Sequence, residues 1–170
     1  MKKLKELTAN KIRNLKILFF DFDGVFTNNL VIVSETGVES VLCSRLDGIG
    51  ISKLRKKGYI CFVVSSESND VVLRRCEKLQ IDCLHNVEDK MVSVKKILNQ
   101  YDYTADEALF VGNDVNDIPG FMSVGLCIGV SDRHPDINSY LDYITSSDGG
   151  NGAVREICDK VFSLKLELEK

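Results

Sequence analysis

Short apolar runs recur along the chain at regular spacing: ILFF at 17–20, YICFVV at 59–64, CLH at 83–85, ALFVG at 108–112 and GLCIGV at 125–130, with a weaker YIT ending at Thr145. They are rich in β-branched and aromatic residues and are followed by polar or glycine-bearing residues, which predicts strands. Between them lie polar-apolar stretches of helical length, Asp47 to Lys57, Asn69 to Gln80 and Asp89 to Gln100. Another helix is expected from Thr104, where Thr-Ala-Asp-Glu has the spacing of a capping box. Near the end, Val154, Ile157, Cys158, Val161 and Phe162 share one stripe of a 3.6-residue period, as a core-facing helix requires. Strands alternating with helices imply an α/β architecture, a parallel sheet covered on both faces.

Residues 28–43 break the alternation. NNLVIVSETGVESVLC holds two strand-like runs around Glu35-Thr36-Gly37, the pattern of a β-hairpin inserted directly after the first strand. It is too small for a cap domain, and a free two-stranded ribbon is marginal alone, so it is expected to pack against something, another subunit included. No repeat or domain boundary is evident, and residues 1–170 are expected to form a single domain.

Composition narrows the classes. The 170 residues are 44% apolar, enough for a real core, and 22 basic against 25 acidic residues leave a net charge of −3. That balance argues against a nucleic-acid or anionic-membrane binder working by bulk electrostatics. No apolar run approaches the ~20 residues that span a bilayer, and no signal-like apolar region follows the basic start MKKLKELTANKIRNLK. The six cysteines form no CxxC pair, and Cys61, Cys83 and Cys127 fall inside apolar runs, as buried reduced thiols of a cytoplasmic protein would.

Ligands of open parallel sheets bind beyond the carboxyl ends of the strands, so the residues after each run carry the functional signal. ILFF is followed by Asp21-Phe22-Asp23-Gly24-Val25-Phe26-Thr27, CFVV by Ser65-Ser66-Glu67, and LFVG by Asn113-Asp114-Val115-Asn116-Asp117; Lys90 opens a helix on the same side. Asp21 and Asp23 point the same way in extended geometry, and the loop amides can cradle an anion. Mg²⁺ suits such oxygen ligands and holds phosphate oxygens. One carboxylate can then attack phosphorus to give an aspartyl-phosphate. The other can protonate the leaving alcohol and later take a proton from water. A hydroxyl (Ser65) and an ammonium (Lys90) serve the equatorial phosphoryl oxygens. A lone DxDG is most often a solvated acidic turn; four elements in order on successive strand ends are not.

DFDGVFT, the serine after the second strand, the downstream lysine and GNDVND together resemble the four motifs of the haloacid-dehalogenase superfamily of phosphohydrolases. The hairpin after the first strand, the missing cap, HPDI (134–137) and GGNGAVRE (149–156) are similar to a narrower group. That group comprises the 3-deoxy-octulosonate 8-phosphate phosphatases, the nonulosonate (sialic-acid type) 9-phosphate phosphatases and the phosphatase-like domain attached to acylneuraminate cytidylyltransferases. The resemblance implies a three-layer Rossmann-like fold, Mg²⁺, and a homotetramer whose hairpins assemble so that neighbouring subunits close each active site. By the same resemblance Asp21 is the nucleophile and a metal ligand. Asp23 is the acid/base, holding metal through its backbone carbonyl, while Ser65 and Lys90 bind the phosphoryl group. Arg75 matches a substrate-contacting arginine, and Asp47, in the altered segment Ser44-Arg45-Leu46-Asp47-Gly48, joins the candidates for substrate binding.

Two departures bear on function. The fourth motif ordinarily reads Gly-Asp-Asp with a metal-binding first aspartate, and here that position is Asn113. An amide oxygen can ligate Mg²⁺ but removes a negative charge, a loss that Asp114 or Asp117 could offset. The other departure concerns substrate. The octulosonate enzymes follow the second strand with Thr-Gly-Arg, whereas Ser65-Ser66-Glu67 resembles the nonulosonate branch. Glu67 with Arg75 and Lys78, one helical turn apart, would suit a sugar acid bearing hydroxyl and amide groups. The expectation is therefore an Mg²⁺-dependent phosphatase of a nonulosonate 9-phosphate. The alternatives are an octulosonate 8-phosphate phosphatase, and a non-catalytic tetramerisation domain linked to a cytidylyltransferase.

Overall fold

A computed structural model describes residues 9–168. After a short helix α1 (Ala9–Arg13), the apolar runs become strands: β1 (Ile17–Phe20), β4 (Ile60–Val64), β5 (Asp82–Leu84), β6 (Ala108–Gly112), β7 (Leu126–Gly129) and β8 (Tyr143–Ile144). The hairpin supplies β2 (Thr27–Val33) and β3 (Glu39–Cys43) as a separate antiparallel ribbon. Helices α2 (Arg45–Lys56), α3 (Val71–Leu79), α4 (Lys90–Gln100), α5 (Ile118–Phe121) and α6 (Ala153–Leu168) complete the chain. The main sheet has the order β5-β4-β1-β6-β7-β8 and all its pairs are parallel.

Alternation along β1 divides the interior in two. Leu18 and Phe20 face a core shared with Ile51, Leu54, Val72, Ile157 and Val161 of α2, α3 and α6. Ile17 and Phe19 face a second core with Val94, Ile97, Leu98 and Phe121 of α4 and α5. Three layers result, as expected of strands apolar on both faces. Helix starts follow local chemistry: the Ser44 hydroxyl accepts from the Leu46 amide, and the Asp89 carboxylate from those of Met91 and Val92.

The helix expected from Thr104 is replaced by a single 3-10 turn, Ala105–Glu107. Its capping box forms, with Glu107 accepting from the Thr104 amide at 2.9 Å. The fully buried run from Ala108 to Gly112 then claims the backbone for β6 before a second turn can form. Tertiary pairing overrides the local helix signal.

The strand order reverses at β1, between β4 and β6, and the carboxyl ends of these three strands converge there. Among the described residues no helix is long and apolar enough to cross a membrane. All six cysteines are free thiols.

Candidate active site

The segment after β1 is shaped by its aromatics. Phe22 and Phe26 are fully buried and stack at 6.1 Å, and Phe20 meets Phe26 edge-on at 5.6 Å. The amides of Val25, Phe26 and Thr27 all turn back to the Phe22 carbonyl, closing a tight loop. Anchoring the phenyl rings inward leaves Asp21 and Asp23 on the wall of a cavity of about 450 Å³. Ser65, Glu67, Asn113 and Asp114 share that wall. Gly24 is required twice over: its φ is +75°, and a Cβ there would lie 2.0 Å from Asn113 Nδ2.

Beneath the cavity floor lies a buried charge cluster. Lys90 Nζ donates to Asp21 Oδ1 at 2.7 Å and to Asp117 Oδ1 at 2.6 Å. The other Asp117 oxygen accepts from the Asn113 amide at 2.7 Å and the Asp114 amide at 3.2 Å. Gly112 makes room for this arrangement, since a Cβ there would be 2.3 Å from Asp117 Oδ2. Burial and the neighbouring Asp117 push the Asp21 carboxyl above the usual carboxylate range, with Lys90 opposing. Burial would lower Lys90, but Asp21 and Asp117 together outweigh it and hold the ammonium charged. Asp23 is raised by burial and, secondarily, by Glu67 and Glu39, with a hydrogen bond from Thr27 pulling the other way.

Several expected site residues lie elsewhere. Asp47 is fully buried between α2 and α6, where one oxygen accepts from the Arg155 amide at 3.1 Å. Burial lifts its carboxyl to about 6; it ties two helices together and is not on the cavity wall. Arg75 donates to the Ser44 carbonyl at 2.8 Å, fastening α3 to the start of α2. Lys78 is exposed on α3, so the Glu67–Arg75–Lys78 trio is not assembled in the cavity. Only Glu67 lines it, its carboxylate held by the Asn69 amide at 2.7 Å. Asp117 is fully enclosed and committed to Lys90 and two amides, so it has no oxygen to spare as a substitute metal ligand. Asp114 lines the cavity while its side chain also caps the following 3-10 turn through the Val115 amide.

Asp117, which sequence reasoning offers only as a spare metal ligand, is the hub that holds Lys90. The Asp114-x-x-Asp117 spacing signals only half of this, the capping box in which both side chains reach back to the backbone.

Two acidic residues one apart just beyond β1, a hydroxyl just beyond β4, a buried ammonium and a DxxD turn after β6 meet at the topological switch point, an arrangement that holds the groups phosphoryl transfer uses. The chain belongs to the haloacid dehalogenase-like hydrolases, whose family model matches residues 65–157. It is a phosphatase of that family. The 3-deoxy-D-manno-octulosonate 8-phosphate phosphatase KdsC of Escherichia coli K12 is 29% identical over 161 residues, covering 94% of this chain and 86% of the relative. The corresponding enzyme of Moraxella catarrhalis, solved with magnesium, phosphate and KDO, superposes with a TM-score of 0.89 at 25% identity over 95% of this chain and 93% of that one. The Yersinia pestis enzyme gives 0.91 at 27% identity, over 96% and 89%.

Proposed function

We propose that the chain hydrolyses a sugar-acid phosphate, with 3-deoxy-octulosonate 8-phosphate the preferred substrate, and that Mg²⁺ is its cofactor. The observation that carries the chemistry is Lys90 locked between Asp21 and Asp117 beneath a cavity walled by Asp21, Asp23 and Ser65. Asp21 is the nucleophile: its oxygen bonds to phosphorus as the bond to the leaving oxygen breaks. Asp23 gives that oxygen a proton, then takes one from the water that releases phosphate and frees Asp21. Ser65 and Lys90 stabilise the phosphoryl oxygens.

The donor set fits a hard cation. Asp21, the Asp23 backbone and Asn113 offer oxygen only, and among the described residues no three acidic, His or Cys side chains form a ready-made cage. Mg²⁺ ordinarily takes one or two protein carboxylates and fills its sphere with water and phosphate oxygens. Bound there, it would neutralise charge on the phosphoryl group.

The preference for the octulosonate over the nonulosonate rests on two supports. The relatives 29% identical over most of the chain are octulosonate 8-phosphate phosphatases, and of the trio that favours a nonulosonate only Glu67 lines the cavity. Glu67 in place of an arginine is the one feature that still favours the longer sugar.

None of the ten cavity-lining residues is cationic, so the carboxylate of a sugar acid finds no counter-charge on that wall. A neighbouring copy is the natural source. The hairpin exposes Leu30 and Ile32 on one face and, by alternation, Val31 and Val33 on the other. A ribbon apolar on both faces suits burial between copies, in keeping with a tetramer with shared sites.

Steady-state assays with Mg²⁺ on both sugar-acid phosphates test the reading. The octulosonate ester is expected to have kcat/KM higher by about tenfold or more. Asp21→Asn is expected to remove turnover of both while the protein stays folded. Turnover of neither by the unmutated chain would favour the non-catalytic alternative, and a reversed preference would restore the nonulosonate.

A further inference from the structure

Thr27 is fully buried at the root of the hairpin, where β2 begins and pairs with Cys43. Its hydroxyl oxygen makes three hydrogen bonds. The Gly24 amide reaches it at 3.1 Å and the Asn29 amide at 3.2 Å, and it lies 3.2 Å from Asp23 Oδ1. Asn29 is turned toward it by a left-handed backbone, φ 62°. A hydroxyl has two acceptor positions and one proton. Two amides fill the acceptor positions, so the proton has one place to go, Asp23 Oδ1. The converse bond, a protonated Oδ1 donating to Thr27, has no lone pair left to receive it.

We propose that Thr27 is a positioning residue that decides which oxygen of Asp23 carries the transferable proton. With Oδ1 facing a donor that cannot turn round, a proton on Asp23 resides on Oδ2, which leaves Oδ1 as the carbonyl oxygen, the better acceptor for the Thr27 hydroxyl. The carboxyl is also held in one rotamer on the cavity wall. As the Asp21–phosphorus bond forms and the bond from phosphorus to the leaving oxygen breaks, that oxygen takes the Oδ2 proton and leaves Asp23 ionised. The attacking water later returns a proton to the same oxygen. The inference rests on the acid/base reading of Asp23 given above. It also ties the hairpin to the chemistry, because the residue that orients the acid is the first residue of the ribbon.

The test is kcat/KM, which covers the steps through departure of the leaving group, measured from 4-nitrophenyl phosphate through phenyl phosphate to a primary alkyl phosphate. Thr27→Val keeps the branched shape and removes the hydroxyl. It is expected to lose roughly thirtyfold on the alkyl ester and only about threefold on the nitrophenyl ester, whose leaving group needs little protonation. Thr27→Ser, which restores the hydroxyl, is expected to recover the alkyl ester to within about threefold of the unmutated protein. Should Thr27→Val fail to fold, Thr27→Cys, a poor donor of similar size, is expected to show the same selectivity in smaller measure. Equal losses across the series in a folded Val or Cys variant, or no recovery by Ser, would overturn the inference. Asp23→Asn separates the two levels. If it is selective for poor leaving groups and Thr27→Val is not, Thr27 alone is misassigned. If Asp23→Asn is itself unselective, the acid role falls and takes Thr27 with it.

Discussion

At the carboxyl edge of the sheet, three charged side chains are almost wholly enclosed: Asp21 is 4% exposed, Lys90 2% and Asp117 0%. In the hairpin that leaves the same edge, Leu30 is 69% exposed, Ile32 62% and Leu42 65%. Both regions invert the usual distribution of polar and apolar groups, for opposite reasons. The buried charges satisfy one another: one ammonium bridges two carboxylates, and two backbone amides complete Asp117. Two negative charges against one positive leave a surplus that favours a proton or a cation nearby, in keeping with the raised Asp21. Among the described residues nothing covers the exposed hydrophobes, and such a patch suits a surface from outside the chain. One region is satisfied within a single copy, and for the other the proposed cover is a second copy of the chain.

The sharpest way to break that comparison is to unbalance the charge cluster. Asp117→Asn retains the shape but not the charge, so it cannot serve Lys90 and both amides equally. A loss of about 2 kcal/mol in denaturant-measured stability is expected, because buried groups lose full partners. A fall in kcat of roughly a hundredfold is expected as Lys90 loses its aim. Unchanged kcat in a destabilised Asp117→Asn would make the cluster a structural device alone.

Much of this site was legible from spacing. The strand runs, the DxDG turn after β1, Ser65 and Lys90 all rest on signals carried within a few residues: periodicity, caps and breaks. What spacing does not carry is the choice of long-range partner. Arg75 could face a ligand or the Ser44 carbonyl 31 positions away, and only packing of α3 on the start of α2 decides for the carbonyl. Asp47 reads as a first-turn acid on an exposed helix until α6 closes over it and offers the Arg155 amide. Asp117 reads as a spare carboxylate because the Asp114-x-x-Asp117 spacing shows at most that its side chain turns back to the backbone, not that Lys90, at a distant helix start, takes it as a second counter-ion.

The hairpin offers the complementary test. Ile32→Asp puts a charge on the ribbon without touching either core, so chain stability measured as a dilute monomer is expected to change by no more than about 0.5 kcal/mol. The assembly is expected to dissociate, read by light scattering after size-exclusion chromatography, because a desolvated unpaired charge is costly in an interface. If sites are shared, kcat/KM on the sugar-acid phosphate falls with the assembly. An Ile32→Asp protein that stays associated and active would mean that the ribbon is not the interface.

The smallest expected effect sharpens the charge side. Asn113 lies against Gly24, with its amide nitrogen where a Cβ on that glycine would fall, and it shares the cavity wall with Asp21. Asn113→Asp keeps that shape and adds a carboxylate to a wall that already carries Asp21, Asp23, Glu67 and Asp114 and no cation. Without metal the variant is expected to be less stable by about 1 kcal/mol, because the new carboxylate meets Asp21 in a partly desolvated space. With Mg²⁺ the sign reverses: the added charge is what the cation lacks, so apparent affinity is expected to tighten by roughly tenfold. Thermal melts across a magnesium titration read both effects without reference to activity. A ligand that binds only the folded state raises the midpoint by an amount set by its concentration over Kd. The variant is therefore expected to melt lower than the unmutated protein without metal and to gain more from each increment of Mg²⁺. Parallel titration curves would instead mean that position 113 lies outside the coordination sphere, and that Asp21 and the Asp23 carbonyl, with or without Asp114, hold the cation.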